Sequence, residues 1–155
     1  MSAPKPFEFL DFAAPEDGDL RLILAERVPA QGSPWGVPAY TLRMQIGSGA
    51  YVGRIRLRVG WSDEVIRYAG HVGYAVEAEH RGHRYAERAC RMLVPLARAH
   101  EMDRLWITCQ PANLASRRTL ERLGARYMGL LDVPPEYPLD AGAERKKMCF
   151  SLTVD

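Results

Sequence analysis

The most informative chemical feature of this sequence is a glycine set among basic residues. The segment GYAVEAEHRGHRYAERA (residues 73–89) contains three closely spaced arginines, namely Arg81, Arg84 and Arg88. Gly82 lets a ligand approach the backbone without a Cβ in the way. A helix that begins near His83 offers unpaired N–H groups, which favour an anion such as a pyrophosphate. The same pattern is also typical of an ordinary connector with solvated arginines.

A second polar segment, CQPANLASRRTLERLGARYMG (residues 109–129), follows a short apolar strand. Asn113 lies where that strand ends and the next helix begins, and Ser116 lies three residues later. Asparagine is a preferred N-cap, so the residues by themselves favour a capping role. An Asn–Ser pair at a helix start can also hydrogen-bond a ligand that lies across the strand ends, which leaves a binding role open.

Composition restricts the class of function. The 155 residues include 21 Lys and Arg against 19 Asp and Glu, and this net charge of +2 gives no strong case for binding nucleic acid or a membrane surface. With 47% hydrophobic residues, we expect one globular domain over residues 1–155, with residues 1–19 as an N-terminal arm. The N-terminus lacks signal-peptide features and no apolar run suits a bilayer, so we expect a cytoplasmic protein.

Three cysteines, Cys90, Cys109 and Cys149, occur in apolar segments, and we interpret them as reduced core thiols. No cluster of Cys and His residues has the spacing of metal ligands, so we predict no metal site.

Alternation of apolar and polar residues predicts strands over residues 20–28, 40–46 and 55–59, and a further strand after residues 60–64 that ends at Val76. The loop 29–38 contains three prolines and two glycines. An apolar stripe at helical spacing then predicts an amphipathic helix; its members are Ala86, Ala89, Cys90, Leu93, Val94 and Ala97.

The remaining elements complete the predicted fold. We expect a strand over residues 105–109, a helix over residues 114–123 that Gly124 ends, and strands over residues 128–133 and 147–154. This order predicts an α/β (α+β) fold. Its sheet is mixed and mostly antiparallel, with a central strand–helix–strand crossover and helices packed on it.

Residues 65–130 resemble the GNAT superfamily of N-acetyltransferases. The family's acyl-CoA loop commonly reads R-G-x-G-x-A, and here it reads Arg81-Gly82-His83-Arg84-Tyr85-Ala86. The family's later motif is Asn-x-x-Ser/Ala before a helix that ends in Leu-Gly; it matches Asn113, Ser116, Leu123 and Gly124. Two motifs in the right order and context are far more specific than either alone.

The resemblance implies an acetyl-CoA-dependent enzyme that transfers the acetyl group directly to a primary amine of an unidentified small molecule or peptide. It also implies an acyl-CoA-binding core over residues 65–130, in which the pantetheine arm pairs with the backbone of Tyr74, Ala75 and Val76. The pyrophosphate would bind the loop amides of Arg81, Gly82, His83, Arg84, Tyr85 and Ala86. Asn113 and Ser116 would contact the pantetheine or the sulfur. The alternative is a non-catalytic acyl-CoA-binding or sensing module on the same fold.

Three positions depart from the family pattern. Arg84 replaces the second glycine of the loop. Leu120 stands where many relatives have a tyrosine that protonates the leaving thiolate, so that role falls to Ser116, to a water or to no group. Loop 29–38 is too short for the helices that usually cover the acceptor side, so we expect reduced helical cover there. That side is either open or completed by Trp35, by the N-terminal arm or by the second subunit of a homodimer.

We expect the general base near the end of the strand at Val76. The candidate is Glu77, near where relatives often keep a carboxylate, and the alternative is a solvated loop charge. His71 titrates in the right range, but we interpret this lone strand histidine as structural. The arginines of the third predicted strand, Arg54, Arg56 and Arg58, form either a solvated sheet face, an acceptor groove or a dimer interface.

Overall fold

The computed structural model describes residues 6–137, 139 and 142–154, which form two sheets and two α-helices. The first sheet has five antiparallel strands in chain order: β1 (Glu16–Asp17), β2 (Leu20–Val28), β3 (Ala39–Gln45), β4 (Tyr51–Arg58) and β5 (Val72–Val76). The second sheet has the order β6–β8–β7, with β6 at Arg104–Cys109, β7 at Arg126–Asp132 and β8 at Lys146–Thr153. The helices are α1 (Tyr85–Ala99) and α2 (Leu114–Arg122).

The predicted fold class is confirmed, because antiparallel strands precede and follow a β5–α1–β6–α2 crossover. Apart from the strand expected directly after residues 60–64, the predicted strands and helices occur within a few residues of their expected bounds. The apolar stripe of α1 packs on the first sheet, and its fully buried members include Ala89, Leu93 and Ala97. No helix in the described ranges is both long and apolar enough to cross a membrane.

The segment before β5 differs from the sequence prediction of one continuous strand. Val65–Ala69 form a turn of π-helix, and β5 begins only at Val72. The turn packs against the second sheet, where Thr108 Oγ1 donates to the Tyr68 carbonyl over 2.8 Å and Cys149 Sγ donates to the Arg67 carbonyl over 3.3 Å. These tertiary partners satisfy carbonyl groups that a strand would have paired with a neighbouring strand.

The N-terminal arm lies along the protein rather than away from it. Phe9 and Phe12 meet the ring of Tyr40 edge-on, and Phe7 stacks on His100. The Leu10 amide donates to the Tyr40 hydroxyl over 2.8 Å, and that hydroxyl is 2.7 Å from Nε2 of His100. The described residues of the arm therefore cover the end of the sheet beside the C-terminus of α1.

The two sheets separate between β5 and β6. They share no ladder among the described residues, and the backbone bond that joins them runs from the His71 amide to the Trp106 carbonyl over 2.6 Å. The His71 ring adds two bonds: Nδ1 accepts from the Trp106 amide (2.9 Å), and Nε2 lies 2.8 Å from the Gly60 carbonyl. Because Nδ1 accepts, the proton is on Nε2 and the ring is neutral. Beyond this point one edge of β5 has no strand partner.

His71 is fully buried, and burial lowers its pKa from 6.5 to about 4. The structural interpretation of this residue is therefore confirmed by its partners. The folded state favours the neutral ring, so its contribution to stability is complete above pH 6.5 and is lost as the pH falls toward 4.

We expect the free energy of unfolding to fall by about 3 kcal/mol across that pH window from His71 alone. Urea denaturation at several pH values measures the total fall, and the H71Q variant, which cannot titrate, should show a smaller one. H83Q, at an exposed histidine, is the matched control. If H71Q folds poorly, an NMR titration of the native ring replaces it. A ring that protonates near pH 6.5 would contradict the prediction.

Candidate functional site

A cleft of about 320 Å³ lies between the end of β5, the start of α1 and one face of α2. It is lined by Val76 at the end of β5, by the loop and first turn of α1 (His80, Arg81, Gly82, Arg84, Tyr85 and Ala86), and by one face of α2 (Ala115, Arg118, Thr119 and Arg122). The structure therefore brings together most of the loop residues that the sequence predicted, and adds a helical face that sequence reasoning missed. That face follows the spacing i, i+3, i+4, i+7, which is a signal the sequence carries.

The loop before α1 contains two residues in the left-handed backbone region. Gly82 has φ +93°, and apart from its chain neighbours no atom of the described residues lies within 4 Å of where its Cβ would be. Arg84 has φ 58° and ψ 30°, so it adopts the conformation that a glycine favours. This conformation delays the start of α1 to Tyr85, two residues after the predicted His83. The first amides of an α-helix have no partner within the helix. At the start of α1, the side chain of Arg84 does not cap them either.

The cleft is strongly cationic. Four arginines line it, namely Arg81, Arg84, Arg118 and Arg122, and no carboxylate is among the lining residues. Glu87 in the first turn of α1 is neutralised, since its carboxylate lies 2.6 Å from Nε of Arg122 and 3.7 Å from Nη2 of Arg91. Arginines, unpaired amides and the positive end of a helix dipole are the features that favour a multiply charged anion.

Arg88, the third arginine of the loop segment, is not among the residues that line the cleft. Its Nε is 2.9 Å from Oδ2 of Asp17 and its Nη2 is 3.0 Å from Oδ1 of Asp19, and it also donates to the Asp17 carbonyl. The pKa of Asp19 is lowered mainly by its hydrogen bond with Arg88. Arg88 therefore holds the turn after β1 against α1, and the carboxylates of Asp17 and Asp19 balance its charge.

The second predicted motif lies beside the cleft rather than in its lining. Asn113 caps α2, and its Oδ1 accepts from the Ser116 amide over 3.1 Å, so the capping role is observed. Leu120, at the family's tyrosine position, is fully buried in the core. Glu77 is exposed at the end of β5, and its amide donates to the Val52 carbonyl over 2.9 Å.

The phenol of Tyr74 is a feature that sequence reasoning missed, because only the backbone of this residue was considered. Its hydroxyl is buried and, among the described residues, is the one buried side-chain N or O atom with no hydrogen-bond partner. Tyr74 pairs with Ile55 across the β4–β5 ladder, so its side chain faces the helices. Burial raises the pKa of Tyr74 well above its usual range. Against this effect, the hydroxyls of Ser116 and Thr119 lie near enough to lower the pKa of the phenol, although neither meets hydrogen-bond geometry.

The three cysteines are free and buried, as predicted for core thiols. Burial raises the pKa of Cys90 to about 12 and also raises those of Cys109 and Cys149, so none is poised as a nucleophile. Within the described part of the chain, no three His, Cys, Asp or Glu side chains are grouped so as to hold a metal ion.

Comparison with known proteins places these features in a family. A family model described as an acetyltransferase (GNAT) domain matches residues 12–126. No curated protein sequence matches the chain.

Solved structures share the fold. The ribosomal-protein-S5-alanine acetyltransferase from Vibrio fischeri matches with a TM-score of 0.69 at 17% identity, over 93% of this chain and 98% of that one. The ribosomal L7/L12 alpha-N-protein acetyltransferase RimL matches with 0.67 at 17% identity, over 92% and 98%. The microcin C7 self-immunity acetyltransferase MccE, in complex with acetyl-CoA and AMP, matches with 0.59 at 19% identity, over 75% of this chain and 61% of that one.

The backbone at Arg84 yields a stability prediction. A left-handed backbone conformation costs a non-glycine residue about 1–2 kcal/mol. Glycine avoids this cost, but it makes the unfolded chain more flexible, which reduces the gain in stability by about 0.5–1 kcal/mol. We therefore expect R84G to raise the free energy of unfolding by about 0.5–1 kcal/mol in urea denaturation. R84A is the matched control, since it removes the side chain but keeps the strain. Equal stability of the two variants would contradict the prediction.

Proposed function

Because this chain belongs to the GNAT acetyltransferase family, we propose that it transfers an acetyl group from acetyl-CoA directly to a primary amine. Family membership makes it an acyl-CoA-dependent N-acetyltransferase with acetyl-CoA as its cosubstrate. The observation that carries the proposal is the cleft at the start of α1, where four arginines and the helix start face one space without a carboxylate.

The pyrophosphate of CoA is proposed to bind at this helix start. The amides of residues 81–86 would hold its oxygens, and Arg81, Arg84 and Arg118 would balance its charge. The open space over Gly82 leaves room for a phosphate against the backbone. Arg122 is already paired with Glu87, so it contributes less free charge than the other three.

The pantetheine arm is proposed to lie along β5. This strand pairs with β4 on one side, while its other edge forms no ladder with β6. Alternate residues of a strand direct their amides and carbonyls to opposite edges, so the groups of Tyr74–Val76 that point away from β4 suit an extended ligand that pairs as a strand would. Among them, the Val76 carbonyl accepts from Arg81 Nε over 3.3 Å, and such a ligand would share or replace this bond. Asn113 and Ser116 lie at the start of α2, close to the end of that gap.

Acetyl-CoA supplies the acetyl group as a thioester. The chain's own residues must then take a proton from the ammonium group of the acceptor and give a proton to the leaving thiolate. We assign the first role to Glu77, which is exposed at the end of β5. We assign the second to the phenol of Tyr74 together with Ser116. The raised pKa of Tyr74 keeps this phenol protonated at neutral pH, and Leu120 offers no proton.

The acceptor is proposed to be a small-molecule or peptide amine. Two of the structural matches are named for acetylation of ribosomal proteins, and at 17% identity they support the fold and not a particular substrate. A homodimer in which the acidic arm of one subunit meets the arginines of another is less favoured, because Glu16 pairs with Arg21, and Asp17 and Asp19 pair with Arg88, within the chain. The compartment proposed is the cytoplasm.

The G82V variant tests the CoA site. A Cβ at Gly82 would occupy the space proposed for phosphate, so we expect G82V to weaken CoA binding in calorimetry. G36V is the matched control, because Gly36 also has a positive φ (+70°) and open space but lies in loop 29–38. Equal loss of affinity in both variants, or none in G82V, would show that the loop is only a connector.

Ligand dependence of stability provides a second test of the same site. Saturation at a hundredfold excess over the dissociation constant should raise the free energy of unfolding by about 2.7 kcal/mol. Pantetheine lacks the pyrophosphate, so it should bind far more weakly than CoA. Equal affinity for the two would refute the role proposed for the α1 start.

The Y74F and S116A variants separate proton donation from binding. If the phenol protonates the thiolate, Y74F should lower kcat by roughly 10²- to 10⁴-fold while CoA affinity changes little. Y127F, at an exposed tyrosine of β7, is the control. Normal turnover of Y74F with slow turnover of S116A would assign the proton to Ser116. Normal turnover of both would assign it to water.

A further inference from the structure

A second pocket, of about 150 Å³, lies on the face of β4 and β5 that points away from the helices. Register places Arg54 opposite Ala75 and Arg56 opposite Gly73 on this face, whereas the Ile55–Tyr74 pair faces the core. We call the pocket the arginine groove; Arg54, Arg56 and Arg58 line it, with Thr41 and the backbone of residues 73–75.

The arginines of the groove have no acidic partner. Within residues 6–137, 139 and 142–154, no carboxylate lies within 4.0 Å of the guanidinium groups of Arg54, Arg56 or Arg58. Arg56 Nε donates to Thr41 Oγ1 over 3.2 Å, and Arg58 Nη1 donates to the carbonyls of Ala69 and Gly70 over 3.3 and 3.1 Å. These neutral acceptors leave the three positive charges uncompensated.

This arrangement is unfavourable for the isolated protein. Burial, with the charge of Arg56 as a smaller cause, lowers the pKa of Arg58 to about 10. Arg43 and Arg54 lie directly opposite each other in the β3–β4 ladder, and like charges in that position destabilise a sheet. On an ordinary solvated face, charges of both signs would be interspersed. Glu26 is opposite Thr41 on β2, but no ion pair joins it to an arginine in the described ranges.

The position of the groove connects it to the proposed chemistry. Residues 73–75 form one wall of the groove. They belong to β5, the strand that is proposed to pair with pantetheine. No residue of loop 29–38 is among those that line the groove. Its Trp35 stacks instead on Tyr137, which also meets Tyr68 in the turn before β5. The groove is therefore an open, cationic space beside the expected path of the acyl group.

We propose that the arginine groove binds a carboxylate or phosphate of the acceptor and so holds the acceptor's amino group beside the thioester. The proposal rests on the proposed function and adds the class of substrate: an amine that also carries an anionic group. Planar guanidinium groups suit this task, because each can make two parallel hydrogen bonds to a carboxylate or phosphate.

The test measures binding to the CoA-saturated protein, so that the anion site at α1 is already filled. Two matched pairs of amines serve as probes: O-phosphoethanolamine against ethanolamine, and β-alanine against β-alaninamide. NMR titration should show binding of the member that carries the phosphate or carboxylate and weak or no binding of the member that lacks it, with affinity that falls as salt is added. The pair that discriminates better identifies phosphate or carboxylate as the recognised group. Equal binding within both pairs, or none, overturns the proposal.

Variants assign the effect to the groove. Each arginine that makes a charge-assisted bond should contribute about 10- to 100-fold in affinity, so R54Q and R56Q should weaken the anionic probe by that factor. R98Q, at an exposed arginine of α1 outside the groove, is the control and should bind as the native protein does. Circular dichroism and CoA calorimetry establish that the variants fold. Native affinity in both R54Q and R56Q would overturn the proposal.

The outcomes separate this inference from the proposed function. If CoA does not bind the native protein, the proposed function fails. If CoA binds and thiol release with acetyl-CoA is as fast for ethanolamine and β-alaninamide as for their anionic partners, the function stands and the groove proposal fails. A lower KM for the anionic partner that rises in R54Q or R56Q, with kcat little changed, supports both.

Discussion

The half-paired state of β5 is the constraint on which the rest of the site depends. This strand pairs with β4 along its length. Among the described residues, its backbone link to β6 is made by His71, the residue before the strand, whose amide and ring bind the backbone of Trp106. The ring is neutral and fully buried, so this junction holds the two sheets together without placing a charge in the core. Past the junction the sheets diverge, and the free edge of β5, α1 and α2 all border the resulting gap.

The distribution of carboxylates makes the cleft cationic. Glu87 would weaken an anion site in the first turn of α1, but Arg122 and Arg91 neutralise it and at the same time join α2 to α1. Asp17 and Asp19 are bound by Arg88 on another side of the helix. The arginines that remain in the lining therefore face the cleft without acidic competition, although the whole chain carries a net charge of only +2.

The two faces of β5 divide the proposed reaction between them. Alternation along the strand directs Tyr74 toward the helices, where its phenol has no hydrogen-bond partner, and directs Gly73 and Ala75 toward the arginines of β4. Because a strand is one residue thick, groups on its two faces can act on the same extended ligand paired to its edge. No residue of loop 29–38 lines the arginine groove, and Trp35 of this loop stacks on Tyr137 instead.

Local rules let the sequence determine much of this protein. Alternation predicted β2, β3 and β4, the apolar stripe predicted α1, and spacing predicted the loop at Gly82 and the cap at Asn113, because each depends on neighbours a few residues apart. Tertiary structure decided the rest. Val65–Ala69 form a turn because β6 and β8 supply partners for its carbonyls. Arg88 does not line the cleft, because Asp17, 71 residues away in sequence, binds it. The missing partner of Tyr74 likewise depends on how α2 packs, since burial and ion pairing are properties of groups brought together from distant parts of the chain.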